Sequence, residues 1–483
     1  MNETDRRTIT PSILAVLVCG LILIIANPTS IVSQTFAYEV FDSDHIQPQV
    51  FKERRDRLMS QLPSSSIAVI VAADERNRQN DVDYEYRQNS NLLYLTGYPH
   101  PHAVLLLAPS GITLGKRVCR EILFVKERDR QKEQWSGTTA GTAEAMKHYG
   151  IDTALPINDL VRILDQRFGD ERSEGATDSQ DTLFIDGWPT KAVEMPLLGR
   201  RLYVDNHVKS GLLESYGDLK IISKIEPLVG MREVKDTSEL RLMRKAIEIT
   251  MAGHRFAMTG AKPGMKEYQI EALMEFAFKN LGAEDVGYPS IVGSSYNACI
   301  LHYISNRRAM LTGDLILADC GAEYHGYTAD VTRTFPLTGT FTEAQKTIYN
   351  IVLDAQNAGI AKCRQGAPFK APHEAAKSVI AARLVELGIL EDADSVGRYF
   401  MHGTSHYLGL DVHDPGTKGP LQVNTVITVE PGIYIPEGSP CDPKWWNIGV
   451  RIEDDILITA GDPENLSGAL ARTVEDVEAL MKQ

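Results

Sequence analysis

The sequence predicts two unlike units in one chain: an α/β domain followed by a larger α+β domain with antiparallel strands. Three observations carry this. Between about residues 50 and 222, apolar runs of strand length alternate with helical segments. From about residue 233 onward, long stretches with helical spacing alternate with strand patterns that come in pairs. The chain is also 483 residues long, more than one domain ordinarily needs.

The first segment stands outside both units. Arg6 and Arg7 precede an apolar run over residues 13–26, broken only by Gly20. That run is short for a membrane span and right for the core of a signal peptide. "TFA" at 35–37 offers a cleavage site, so residues 1–37 predict export to a periplasmic or extracellular space. An uncleaved anchor is the alternative, and the paired arginines match a twin-arginine signal only in part.

The first unit spans residues 46–225. Its strand candidates are "SIAVIVAA" (66–73), "AVLLLAP" (103–109), "EILFVK" (121–126) and "DTLFIDG" (181–187), with the polar tract 169–181 as a surface loop. The second unit spans residues 233–480. It opens on Asp236 as an N-cap with Glu239 three residues on, the spacing of a capping box. Leu240, Met243, Ile247 and Met251 then recur at helical spacing, predicting a helix over 237–258 closed by Gly260 and Pro263. Further helical patterns lie at 266–281, 342–364 and 372–387, and strand patterns at 314–323, 326–335, 425–434 and 449–458.

Composition narrows the function. The formal charge of −14 disfavours nucleic acid or an anionic membrane as partner, since both call for a basic surface. Cys19 lies in the leader, and the other cysteines (119, 299, 320, 363 and 441) are too scattered for a disulfide framework or a CxxC metal site. Cys320, inside an apolar strand pattern, is expected to be buried.

The chemistry lies in acids that sit where acids are rare. In "LILADCGAEYHGYTADVTRTF" (315–335), two apolar strand-like runs flank "EYHG", with Gly326 available for a positive φ. A hairpin symmetric about Tyr324 and His325 would set Asp319 directly opposite Asp330. Like charges there repel, so the pair needs a cation or a shared proton. A register one residue off, with one Asp in solvent, is the alternative. Glu430 ends "TVITVE", and Glu453 sits in "GVRIEDDILI". Both runs are nearly continuous in apolar residues, as in strands covered on both faces, and a covered acid must be paired or bind metal. "HGTSHYLGLDVHD" (402–414) adds His402, His406 and His413. The four-residue spacing of His402 and His406 is not a zincin site, because Gly403 stands where that site needs Glu, and Gly403 and Gly409 argue against a helix. Four carboxylates with one imidazole form a hard, oxygen-rich set suited to Mn²⁺, with Co²⁺, Fe²⁺ or Zn²⁺ also compatible. Their charge would balance two divalent ions, which suits two-metal hydrolysis.

Together "CILHY" (299–303), "ADCGAEYHGYTADVTRTFP", "HGTSHYLGLDVHD", "TVEPGIYI" and "VRIEDD" resemble, in family order, the aminopeptidase P group of the pita-bread metallopeptidases. "YEYRQNSNLLYLTGY" (84–98) resembles the N-terminal domain of that group, so the resemblance runs from about residue 46 to the end. It implies a pita-bread catalytic domain behind a smaller α/β domain. Residue by residue, it implies Asp319, Asp330, His406, Glu430 and Glu453 as ligands of a dinuclear site. His302 and His413 fall on histidines that assist at the scissile peptide, and His402, Tyr434 and Arg451 on substrate-pocket positions.

The implied reaction is hydrolysis of the bond between an N-terminal residue and a following proline. A hydroxide activated by the two metals attacks, Glu430 relays the proton, and His302 or His413 steadies the tetrahedral intermediate. Substrates would be peptides with proline second, and relatives often form dimers or tetramers. Prolidase, which cuts only dipeptides, is the nearest alternative; it needs a cation for the dipeptide carboxylate, and Arg451 alone does not decide that. A catalytically inactive binding module would be marked by lost ligands, and none is lost.

Overall fold

A computed structural model describes residues 37–168, 182–186, 192–195, 200–203, 212, 214–216 and 219–482. The candidate leader up to residue 36 and the polar tract 169–181 lie outside the described residues. Among the described residues no helix is long and apolar enough to cross a membrane.

The first unit is built on a mixed six-stranded sheet. Its strands run, in spatial order, Lys220–Ile222, Thr182–Asp186, Ile67–Val71, Val104–Leu114, Arg117–Val125 and Ala154–Pro156. Both faces are covered, which is why the central strands read as continuous apolar runs. Ile67, Val69, Leu106, Ile122 and Phe124 pack on one face. Ala68, Ile70, Leu105, Leu107 and Leu123 pack on the other. This second face shares its core with Leu242, Tyr327, Leu408 and Leu410 of the second unit, so the two units meet through apolar surface.

The second unit begins with the helix Thr237–Gly260. Asp236 caps it by accepting from the N–H groups of Ser238 and Glu239, while the Glu239 carboxylate accepts from the Asp236 N–H. Helices Glu267–Asn280, Glu343–Ile360 and Ala371–Glu386 follow. They enclose antiparallel strands around one large core that includes Cys320.

Each long strand pattern in this unit is broken into two. Residues 314–323 become Leu315–Cys320 and Ala322–Tyr324, and 326–335 become Tyr327–Thr328 and Val331–Pro336. Residues 425–434 become Val426–Val429 and Gly432–Ile435, and 449–458 become Ile448–Arg451 and Asp454–Leu457. The breaks fall at Gly321, Asp330, Glu430 with Pro431, and Glu453. Pro431 has no N–H to give a ladder. Gly321 lets two backbones cross so closely that a Cβ there would lie 1.9 Å from the Ala329 carbonyl oxygen. The breaks leave three of the four acids outside regular ladders.

The hairpin register differs from the expected one. Tyr324 pairs with Tyr327, so the turn is the two-residue His325–Gly326, with φ of 48° and 81°. Two positive φ values in succession make the tight turn whose twist matches a hairpin. Asp319 therefore pairs with Thr332, not with Asp330. The shift is two residues, and a shift of two keeps every side chain on its face. Asp319 and Asp330 still point the same way, one step apart along the strands.

Candidate active site

The strand breaks converge on one pocket. Tyr288 Oη donates toward Asp319 Oδ1 and Asp330 Oδ1, 2.6 Å from each, so one hydroxyl joins the two aspartates. The second oxygen of Asp319 accepts from Arg451 Nη2 at 2.6 Å. The second oxygen of Asp330 lies 3.3 Å from His406 Nε2, and Glu430 Oε1 lies 3.8 Å from the same nitrogen. Glu453 Oε2 accepts from the Thr332 hydroxyl at 2.6 Å. Ligand atoms of Asp330, His406 and Glu453 all lie within 4.8 Å of one another. The five residues expected to face metal form one continuous cluster.

The three histidines of 402–414 separate by position. The segment is a loop, held by bridges from Tyr407 to Asp414 and from Tyr407 to Ile427. Gly409 is needed there, because a Cβ would lie 2.6 Å from Asp414 Oδ2. His406 N–H donates to Thr428 Oγ1 and its carbonyl accepts from Thr428 N–H, which ties it to the strand Val426–Val429 just before Glu430. His413 stands edge-on to His406 with ring centres 4.4 Å apart. His402 turns to the other side, with Nε2 2.8 Å from Tyr434 Oη and Nδ1 3.6 Å from Glu430 Oε2. His302 is exposed at the mouth, on the turn after the short helix Ser295–Cys299. It stands near enough to both His402 and His413 to disfavour their protonation.

Tyr434 and Arg451 lie deep in the pocket. Tyr434 is wholly buried and Arg451 is 3% exposed. Arg451 donates to Tyr434 Oη and Thr332 Oγ1 as well as to Asp319. They form the floor behind His402 and Asp319.

The pocket holds more negative charge than its cations balance. Burial pushes the Asp319 carboxyl upward, against the pull of Arg451. Burial, with Asp330, Glu430 and Asp319 around it, pushes Glu453 far above the carboxylate range. Glu430 is pushed up to about 7 by burial, which outweighs His406 and Arg451. Burial and Asp330 also push Asp455 well up, and its Oδ1 has no hydrogen-bond partner. His406 goes the other way: burial disfavours its charge, yet Asp330 and Glu430 raise it to about 9. Buried carboxylates held together this way require protons or cations. Four carboxylates and one imidazole around one space are a donor set that suits divalent ions. His402 and His413 are pushed toward the neutral form. Burial and Arg451 take His402 down to about 4, and burial with His406 lowers His413.

Three further participants are Tyr288, Thr332 and Asp455. Tyr288 sits in "GYPS", where Gly287 allows a close approach to Thr328. Thr332 lies between Asp319 and Glu453. Asp455 was visible in "EDD", two residues past Glu453, and its carboxylate accepts from the Asp330 N–H.

Comparison with known proteins follows the same division. The model of metallopeptidase family M24 matches residues 241–460, and that of the aminopeptidase P N-terminal domain matches residues 51–174. The Xaa-Pro aminopeptidase of Escherichia coli is 37% identical over 456 residues, covering 90% of this chain and 98% of that protein. That of Haemophilus influenzae is 34% identical, covering 89% and 96%. Aminopeptidase PepP of Pseudomonas aeruginosa superposes with a TM-score of 0.79 at 38% identity, over 91% of this chain and 99% of that one. Aminopeptidase P of E. coli with the inhibitor Pro-Leu superposes with a TM-score of 0.79 at 35% identity, over the same shares.

Proposed function

The chain belongs to metallopeptidase family M24, with the pita-bread catalytic domain of that family behind an aminopeptidase P N-terminal domain, and on that premise we propose how it acts. It is a metal-dependent aminopeptidase that hydrolyses the bond between an N-terminal residue and a following proline. Two divalent ions, Mn²⁺ first among the candidates, would be held by Asp319, Asp330, His406, Glu430 and Glu453. When bound, they supply an activated water and polarise the scissile carbonyl. The observation that carries this reading is the convergence of these five side chains, with carboxylates in excess of cations, in one buried pocket.

The chain's own residues do the rest. Glu430 faces His402 across the pocket, so its carboxylate can take a proton from water and hand it to the leaving nitrogen. That nitrogen belongs to proline, a tertiary amide with no N–H, so the pocket selects it by ring shape and supplies no amide acceptor. His413 and His302, at the mouth, would donate hydrogen bonds to the oxyanion. Tyr434 holds His402, and Arg451 holds Asp319 and Tyr434. Arg451 is thus committed and not available to clamp the carboxylate of a dipeptide, which favours aminopeptidase P action over prolidase action. Export through residues 1–37 and a dimeric or tetrameric assembly complete the proposal. An intact N-terminus in cytosolic fractions would overturn the export.

The test uses Mn²⁺-loaded protein with Arg-Pro-Pro and Ala-Pro, with products followed by mass spectrometry. Release of arginine from the tripeptide, lost in Asp330→Asn, is expected. Cleavage of the dipeptide alone would reassign the chain to prolidase action. No cleavage of either, with metal verified in the pocket, would leave a binding module.

A further inference from the structure

A second group of metal-capable side chains lies outside the pocket. It joins the segment before the helix Pro48–Ser60 to the turn of the hairpin that carries Asp319 and Asp330. His45 and His325 place their ring centres 4.2 Å apart. Asp42 Oδ2 lies 3.9 Å from His45 Nε2, and ligand atoms of Asp42, His45 and His325 all lie within 4.8 Å of one another. Asp44 Oδ1 lies 2.8 Å from His325 Nε2, and Glu284 Oε1 lies 2.9 Å from His325 Nδ1. Asp44 also accepts from Tyr324 Oη at 2.9 Å and from Arg241. A cavity of about 620 Å³ opens on His45, Glu284 and His325, which gives an ion a route in from solvent.

We propose that Asp42, His45 and His325, with Asp44 beside them, form a second divalent-metal site of the zinc type, separate from the catalytic pocket. Two imidazoles with one or two carboxylates are a common zinc ligand set, and zinc takes such ligands at about 2.0–2.2 Å. A span of 4.8 Å is wider than a closed tetrahedron, and Asp42, whose side chain is 63% exposed, can swing inward to close it. His325 is already oriented by Glu284 on its far nitrogen, as ligating histidines ordinarily are by an outer carboxylate. Such an ion would fasten the segment ahead of the first unit to the hairpin of the second. A proton can act in the same place, holding His325 as an imidazolium between Asp44 and Glu284, and the experiment separates the two.

Zinc per chain is counted after dialysis of the full-length protein, for the parent, His45→Ala, His325→Gln and Asp330→Asn. Among the described residues His45 meets only Asp42, at 3.9 Å, and the His325 ring, so His45→Ala is the decisive variant and His325→Gln the second. Both are expected to lose about one zinc relative to the parent while peptide hydrolysis by the Mn²⁺-loaded enzyme stays within about twofold. Asp330→Asn is expected to retain that ion, and zinc is expected to raise its unfolding midpoint by a few degrees, a rise that adding His45→Ala removes. Equal zinc in the parent and His45→Ala, or no difference in the midpoint rise, would overturn the site and leave an ion pair held by a proton.

Discussion

Two clusters of buried carboxylates in this molecule differ in how well cations match them. Where the two units meet, Asp414 accepts from Lys235 Nζ at 3.0 Å and from Arg232, which also bonds Asp411 at 2.8 Å and Asn91 at 2.8 Å. Lys235 and Arg232 overcome the burial of Asp414 and hold its carboxyl below the ordinary range. In the catalytic pocket, Asp319, Glu430, Glu453 and Asp455 are all pushed above it. The contrast even separates chain neighbours. Asp454 meets Arg333 Nη2 at 2.7 Å and is held low, while Glu453 before it and Asp455 after it are raised. The junction is a finished ion-pair network. The pocket's acids outnumber the cations beside them, and that separates a structural cluster of acids from a candidate metal-binding one.

The largest expected effect breaks the pocket. Asp330→Asn removes a carboxylate common to the Tyr288 and His406 contacts, and kcat/KM should fall at least about a thousandfold, the loss of several kcal/mol of metal-assisted stabilisation. Metal per chain, measured by elemental analysis, should fall with it. The metal-free variant should unfold no more easily than the metal-free parent, because one of several repelling charges is gone. A metal-free variant markedly less stable than the parent would mean that the pocket is a structural network like the junction.

The matching change at the junction should do the reverse. Asp414→Asn leaves Arg232 and Lys235 buried without their shared partner, which ordinarily costs about 3–5 kcal/mol. Denaturant unfolding of metal-loaded protein should show that loss, with metal content unchanged. The same residue ends the loop that carries His406 and His413, so some fall in kcat is expected as well. Stability unchanged within about 1 kcal/mol would remove the junction's side of the contrast.

Acidity gives a third, milder test. In the metal-free protein Glu430 sits at about 7 and His406 at about 9. Both values are raised, so between about pH 4.3, where a free glutamate titrates, and pH 9 the folded chain holds protons that the unfolded chain has released. Below about pH 6.5 His402, lowered to about 4, works the other way, so metal-free stability should fall most clearly from about pH 6.5 to about pH 9. Bound ions replace those protons, so the gap in unfolding midpoint between loaded and metal-free protein should widen from about pH 5 to about pH 8. Asp414, held low, contributes stability that is lost only as pH falls through its lowered value, so the junction adds no slope over the same range. A gap that stays flat would mean that protons and ions do not compete for the pocket.

Much of this contrast was legible in the sequence, and what was not has a physical cause. Asp319, Asp330, Glu430 and Glu453 stood out because acids inside apolar runs need a partner. The two-domain order followed from the change in periodicity near residue 233. The hairpin register was misplaced by two residues because it depends on which pair of residues takes positive φ, and His325 does so beside Gly326. The strand breaks at Glu430 and Glu453 were hidden because an apolar run does not say where a ladder stops. Tyr288 and Arg232 reach their partners across 31 or more residues of chain, and no local pattern announces such a contact. Local signals found the charges that lack partners, and tertiary structure alone showed which of them obtain one.

The smallest expected effect sharpens the contrast most finely. Tyr288 Oη is a donor that both Asp319 and Asp330 share in the pocket. Burial and those two carboxylates push its own titration far up, so it remains a neutral donor throughout the working range. Tyr288→Phe takes away that hydroxyl and keeps the ring. In the metal-free protein the two aspartates then face each other with one donor fewer, and stability should drop by about 1.5–3 kcal/mol, the ordinary cost of a lost hydrogen bond to a charged group. With ions bound, the carboxylates have their cations, so the loss should shrink below about 0.5 kcal/mol and kcat/KM should stay within about tenfold. The comparison is a two-by-two series of unfolding curves, parent and variant, each with and without metal. A penalty equal in both states would mean that the hydroxyl serves the fold in the way Arg232 serves the junction. A penalty confined to the metal-free state would identify Tyr288 as a partial stand-in for the missing charge.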